Sequence, residues 1–421
     1  MKDKNRREGF LHDLESAVPE NRREYKWNKV KKLLGLASAD SDEFKSRMKK
    51  HGLSPEDIRT INDFSNIPVL HKKDIICFQE ENGLDWMLAT PMGRLRRIYQ
   101  SPGPIFDPEG DSYDYWGWAE AFYACGFRAE DVVQITFGYH MTPAGLMMEE
   151  PLRNIGCCCI PAGPGNTQAQ IELMSRLPVT GFVGMASYLK IIGEKAAKQG
   201  IDPRKDLNLQ VAFVAAERLT DSLRREVEEL FDIQVRQGYG TADAGCIGYE
   251  CPQLGGMHIS SRCWVEICDP ETGYPLPEGE TGEVVVTPFN DSYPLIRLGT
   301  GDLSAFVNTA CSCGRTALKL KGILGRVDDT AKVKGQFIYP HQAARVISAF
   351  PEIQKWQMVI SNDRGSDTIL LKVRSRSALN DAKLISAFQK TMKLRPALQI
   401  LSDEKELPED APDLLDIRTF D

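Results

Sequence analysis

Four thiol and imidazole side chains stand out first. Cys251 and His258 are separated by six residues around a Gly-Gly pair in "ECPQLGGMH", and Cys311 and Cys313 form a tight knuckle in "CSCGRT". Three Cys and one His are the donor set of a structural tetrahedral zinc, with no position left open for catalysis. Cys246, Cys263 and Cys268 can each substitute for one member, and scattered buried cysteines give the same composition. Upstream, "QGYGTADAG" follows the apolar "FDIQV"; its Tyr-Gly turn can present a ring and free N–H groups to a ligand, with Asp243 able to hold a cation. Taken alone, it reads first as an ordinary Gly-rich turn. In "PLIRLGTGDLS" a strand ends on a tight turn at Asp302, a carboxylate suited to a pair of hydroxyls such as those of ribose. "ILGRVDDTAKVKGQFIYP" then gathers Arg326, two acids, two lysines and Gly335 where the texture of the chain changes and a hinge is expected. Finally, Phe137, Tyr139 and Met141 in "TFGYHMTPAG" can line an apolar pocket with His140 as an acid or base, or can simply be core.

The elements that must position these residues follow from periodicity. The first hundred residues read as a helical lead-in, with helix starts and stops in "NKVKKLLGLA", "SDEFKSRMKKHG" and "SPEDIRTINDF". From about Ser112 to Ile323, apolar β-rich runs ("DVVQITFG", "CCCIPAG", "GFVGM", "VAFVAA", "EVVVTPF") alternate with helical ones, the rhythm of an α/β fold with helix-covered sheets. In "ERLTDSLRREVEELFDI", Leu223, Val227 and Leu230 share a face behind a Thr220 cap. The triple Cys157 to Cys159 reads as part of a buried strand, with Cys acting as a small hydrophobe. Beyond Arg326, a strand-like segment, two strands ("KWQMVIS", "DTILLKVRS") and two helices predict a compact α+β unit of roughly ninety residues. The expected division is a large domain over 1–326, its first hundred residues helical, and a small mobile domain over 327–421.

At 421 residues and 42% hydrophobic the chain exceeds what one core usually holds. The formal net charge of −7 argues against a sequence-independent grip on nucleic acid or an anionic membrane, so small molecules are the expected partners. No apolar run of signal-peptide or transmembrane length is found, so a cytoplasmic location is expected and the eleven cysteines are read as thiols and metal ligands.

Together, these stretches resemble the phenylacetate–CoA ligase branch of the adenylate-forming enzymes, which includes the coenzyme F390 synthetase relatives. "FSNIPVLHKKDI" is similar to that branch's L-P-x-T-K-x-D-L, "IPAGPGNTQAQIELM" and "ASYL" to its Gly-Gly-Asn-Thr and T-P-S-Y segments, and "VAAERLT" to G-A-E-P. "YGTAD" resembles Y-G-x-T-E, "RLGTGD" resembles R-x-R-T-x-D, and "CSCGRT…ILGRVDD…KGQFIYPHQ" resembles C-x-C-G-R-T…G-R-x-D-D…R-G-x-x-x-x-P-x-x-I. The resemblance implies a two-step reaction. A carboxylate attacks ATP·Mg²⁺ to give an acyl-adenylate; the small domain then rotates, and the CoA thiol displaces AMP. Ala216, Glu217, Tyr239 and Gly240 would contact the nucleotide, Asp302 the ribose and Arg326 its vicinity, with Asp243 facing Mg²⁺. Asp328 would mark the hinge, Gly335 would line the pantetheine path, and Phe137, Tyr139 and His140 the acyl pocket. In relatives of this branch the residues equivalent to Cys251, His258, Cys311 and Cys313 bind structural zinc. The resemblance leaves the oligomeric state open, a homodimer included.

Three departures fall on one half-reaction. Where the family's phosphate loop reads S-S-G-T-T-G-K-P, this chain reads "QSPGPIFDPEG", keeping Ser101 and Gly103 but bringing in Pro102, Pro104, Phe106, Asp107 and Glu109. The family's C-terminal L-P-x-x-x-G-K aligns with "LPEDAPD", putting Asp413 at the catalytic lysine position. The Y-G-x-T-E motif loses its hydroxyl at Ala242 and shortens its acid at Asp243. The expectation is an AMP-forming acyl- or aryl-CoA ligase with weakened or lost adenylation, Lys332 or Lys334 being the candidates to replace the missing lysine. A non-adenylating nucleotide or acyl-CoA binder, and an ATP-independent enzyme acting on an adenylate or CoA thioester, stand as alternatives.

Overall fold

The computed structural model describes residues 6, 8–101, 105–327, 331–333, 336–338, 340–363, 366–402 and 406–418. The chain forms two compact units, 1–327 and 328–421.

The first unit is built on a nine-stranded sheet whose centre is the strand Gln234–Thr241. On one side of it lie the parallel strands Val211–Val214, Gly181–Gly184, Val132–Ile135 and Cys158–Pro161. The first two are buried at every position, as apolar runs covered by helices on both faces must be. On the other side Gln234–Thr241 turns antiparallel, pairing with Gly245–Tyr249 and, through it, with Met257–Ile259. The helix Asp221–Phe231 covers the parallel half; Thr220 accepts the Leu223 N–H as its cap, and Val227 is fully buried beneath it.

Two expectations need correcting. Cys158–Pro161 is an edge strand, not a buried one: among the described residues it pairs only with Val132–Ile135, and Cys158 is exposed. Pro161 has no N–H to donate, which suits an edge. "SPEDIRTINDF" is not one helix but a 3₁₀ turn, Pro55–Asp57, followed by a four-residue helix, Ile61–Phe64. Ser54 and Thr60 each begin a capping box with an Asp three residues on, so two starts compete within one short segment.

A second sheet orders Leu70–His71, Leu298–Ser304, Gly282–Pro288 and Cys263–Cys268, with Gly325–Arg326 also pairing to Leu298–Ser304. Arg297 sets the entry to that strand. It is 1% exposed, ion-pairs Glu266 at 3.0 Å, and donates to the carbonyls of Ser65, Ile67 and Gly273. A buried charge is tolerated only when so fully satisfied. The second unit has a four-stranded sheet, Ala397–Leu401, Ser366–Ser375, Ile353–Asp363 and Leu414–Asp416, with helices Pro340–Ile347 and Asp381–Met392. No helix among the described residues is long and apolar enough to cross a membrane.

Candidate active site

The site residues of the first unit converge on the end of the strand Gln234–Thr241. Its register shifts between Tyr239 and Gly240, a bulge that re-aims the side chains on either side of it. Only glycine fits there: a Cβ on Gly240 would lie 2.1 Å from the Gly245 carbonyl oxygen and 2.7 Å from the Trp118 ring.

Before the bulge, Tyr239 is buried and its hydroxyl donates to Asp302 Oδ2 at 3.0 Å. Burial, and then the Asp302 charge, push the phenol well above its ordinary pKa, so it remains a donor. Arg326 Nη1 ion-pairs Asp302 Oδ1 at 3.1 Å, held by the pairing of Gly325–Arg326 with Leu303 and Asp302. Glu217 accepts the backbone N–H of Ser187 at 2.7 Å and its hydroxyl at 2.8 Å, an anion at the start of the helix Ala186–Lys198. Gln237 Nε2 donates to the Glu217 carbonyl, tying this turn to the central strand. Ala216 adopts φ +72°, a left-handed conformation that costs a non-glycine residue of order 1 kcal/mol or more and that collects at ligand-binding turns.

After the bulge, Asp243 is 3% exposed and ion-pairs Lys72 at 2.8 Å. Lys72 opens the helix Lys72–Asn82 directly after Leu70–His71, which runs parallel to Leu298–Ser304. Opposite stands a hairpin, Arg97–Ser101 paired with Ile105–Glu109, at the position of the expected phosphate loop. Its burial inverts the usual rule: Ile98 and Phe106 are 43% and 41% exposed, whereas Asp107 and Glu109 are 0% and 1%. Glu109 is matched, accepting from Arg97 at 2.9 Å and from the Tyr99 hydroxyl at 2.5 Å. Among the described residues the Asp107 carboxyl is hydrogen-bonded only by the Ser101 hydroxyl, at 2.5 Å. Burial and the charge of Asp243 push the Asp107 carboxyl well above the usual range. Pro102, Gly103 and Pro104 lie outside the described residues.

The Cys/His donors also come together: the ligand atoms of Cys251, His258, Cys311 and Cys313 all lie within 4.8 Å of one another. Cys251 and Cys311 are 3.6 Å apart, and Cys313 Sγ is 3.4 Å from His258 Nε2. His258 Nδ1 faces the Ala317 carbonyl at 3.3 Å, which leaves Nε2 as the ligating nitrogen. Hydrogen bonds from Cys251 and His258 pull the Cys313 thiol far below its ordinary pKa, toward the thiolate a metal takes. The donor chemistry and spacing fit zinc. Cys246 and Cys263 lie instead in the strands Gly245–Tyr249 and Cys263–Cys268, and Cys268 contacts Arg297.

Other expected site residues are dispersed or undescribed. Phe137 and Tyr139 pack against the core beside Val133 and Ile135, while His140 is exposed. Lys332 falls on the strand Ala331–Val333 of the second unit, and Asp328, Lys334 and Gly335 lie outside the described residues. Asp413, also in the second unit, is roughly half exposed and ion-pairs Lys355 at 3.4 Å. Sequence reading missed Ser187 as the partner of Glu217 and Lys72 as the partner of Asp243, though "LHKKDI" held the signal for the latter.

Residues 115–288 match the AMP-binding enzyme family. The chain is 28% identical over 377 residues to the phenylacetate-coenzyme A ligase of Thermus thermophilus, covering 86% of this chain and 84% of that one. It is 26% identical over 385 residues to the phenylacetate-coenzyme A ligase of Aromatoleum evansii, covering 88% and 86%. These matches support the phenylacetate–CoA ligase-like branch read from the motifs. The fold is that of a crystal structure of 2-hydroxyisobutyryl-CoA ligase, with a TM-score of 0.89 at 20% identity over 96% of this chain and 91% of that one.

Proposed function

We propose that this protein is an AMP-forming acyl-CoA ligase-like enzyme that keeps its nucleotide site but carries out ATP-dependent adenylation weakly or not at all. The single observation behind this reading is Asp107, a buried carboxylate under the charge of Asp243 where the resemblance calls for a donor-rich, lysine-bearing phosphate loop. Two like charges 4 Å apart cost about 4 kcal/mol even at an effective dielectric of roughly 20, and a polyphosphate brings about four. Glu109 adds less to this repulsion than its sequence position suggests, because Arg97 neutralises it. The adenosine side, Tyr239, Asp302, Arg326 and Glu217, is spared. In this reading AMP, CoA and a carboxylic acid are the ligands, zinc occupies the Cys251, His258, Cys311 and Cys313 set, and residues from 327 onward move as a small domain.

Pyrophosphate exchange with phenylacetate and other acids, run beside calorimetric titration of ATP, AMP and CoA, tests the proposal. The expected result is AMP binding with exchange far below about 1 s⁻¹, the low end of ordinary turnover. Exchange at that rate or above overturns it and points to another lysine, such as Lys332 or Lys334, as the replacement. Replacing Asp413 with Lys together with a Ser-Thr-Gly loop over 101–107 should raise exchange from its low baseline.

A further inference from the structure

One face of the helix Lys72–Asn82 organises the carboxylates after the bulge. Lys72 and Gln79, seven residues apart, lie on the same side of it. Lys72 ion-pairs Asp243, while Gln79 clamps the hairpin by accepting the Phe106 N–H at 2.7 Å and donating to the Phe106 carbonyl at 3.0 Å. Asp107, next along the hairpin, is fully buried, and its carboxyl feels the charges of both Asp243 and Lys72. Lys72 supplies one positive charge for two carboxylates. It sits on Asp243 Oδ2, and Ser101 sits on Asp107 Oδ2. The other oxygen of each, Oδ1, is buried with no hydrogen-bond partner among the described residues. Only one further carboxylate oxygen, on Glu352, shares that state among the described residues, so two of three such oxygens fall in this one place. A buried acceptor without a partner destabilises the fold, and an uncompensated buried charge does so more.

We propose that Asp107 and Asp243 together hold one hard divalent cation, of the Mg²⁺ or Mn²⁺ class, and that they do so without nucleotide. Anionic oxygens are the donors such ions prefer, and one or two carboxylates completed by water suffice to bind them. Asp107 is then a ligand that replaces part of the charge a polyphosphate would supply. The proposal rests on the ligase-like reading only for the role given to Asp243.

The test is a Mn²⁺ titration of the zinc-loaded full chain without nucleotide, followed by the loss of the free-ion electron paramagnetic resonance signal, with AMP binding measured on the same samples. The expected result is one saturable site, competed by Mg²⁺. Asp107→Asn and Asp243→Asn should each weaken it about tenfold or more, as loss of a ligand should exceed loss of a supporting contact. Lys72→Met should tighten it several-fold, a change of opposite sign that loss of folding cannot mimic, and Glu352→Gln should leave it unchanged. No saturable binding up to about 10 mM, well above the weakest oxygen-built sites, overturns the proposal and leaves a shared proton as the occupant. Unchanged affinity in Asp107→Asn overturns it as well. AMP binding without Mn²⁺ binding removes this inference alone; Mn²⁺ binding without AMP binding removes the nucleotide reading instead.

Discussion

The two flanks of the bulge in Gln234–Thr241 solve opposite problems. Before it, Tyr239, Asp302 and Arg326 hold one another, so both oxygens of the Asp302 carboxylate have a partner. After it, Asp107 and Asp243 are just as buried, yet each keeps one oxygen open. A carboxylate matched on both oxygens is rigid and offers a ligand a fixed pattern of donors and acceptors. An open one waits for a counter-charge. On the proposed reading, the difference is that the shape-reading half of a nucleotide site is kept while the charge-handling half is rebuilt, a division that family likeness alone does not reveal.

The largest effect should come from the scaffold beneath the first flank. Cys251 and His258 belong to the segment that continues Gly245–Tyr249, the antiparallel partner of Tyr239 and Gly240. Structural zinc contributes folding free energy directly. Stripping it with a chelator, or replacing Cys311 and Cys313 with Ser, should lower the thermal midpoint by about 10 °C or more, taking several kcal/mol at about 2–4 °C each. It should also weaken AMP binding. Metal analysis of the purified protein should give close to one zinc per chain. A protein without zinc and with an unchanged midpoint would break the link between scaffold and flank.

How much of this was legible depended on how rare the signal was. The parallel strands announced themselves because both faces are buried, so "VAFV" and "GFVG" are unbroken apolar runs. The Cys/His set was legible because cysteine and histidine are scarce and the "CSC" knuckle is tight. The hairpin was not. Alternation in "RIYQS" and "IFDPE" marks a period of two but not which face turns inward, and hydrophobicity chooses the wrong one, putting Ile98 and Phe106 inside and Asp107 outside. The buried acids depend on partners distant in sequence, Lys72 on Asp243 and Gln79 on the hairpin that carries Asp107, which no local pattern encodes. Cys158 misled for a related reason: an edge position is a property of the whole sheet.

The smallest effect sharpens the comparison most. Tyr239 does not need to touch a ligand to matter, because its hydroxyl fixes the Asp302 carboxylate at 3.0 Å while Arg326 holds the other oxygen. Tyr239→Phe removes that bond, together with the hydroxyl's longer contact to Thr300 Oγ1 at 3.2 Å, and leaves the ring. Asp302 keeps its ion pair, so the protein should fold and AMP affinity should fall only about fivefold, close to 1 kcal/mol, the typical net worth of one hydrogen bond. If the loss comes from misplacing a carboxylate that reads ribose, an AMP analogue lacking the 2′ and 3′ hydroxyls should bind wild type and variant alike, since the contact being misplaced is already missing. That is a double-mutant cycle with the ligand as one partner. Mn²⁺ affinity should not move, because Asp107 and Asp243 lie on the far side of the bulge. An equal loss with the dideoxy analogue would mean that Tyr239 acts by packing rather than by orienting Asp302, and a parallel loss of Mn²⁺ affinity would mean that the two flanks are one site.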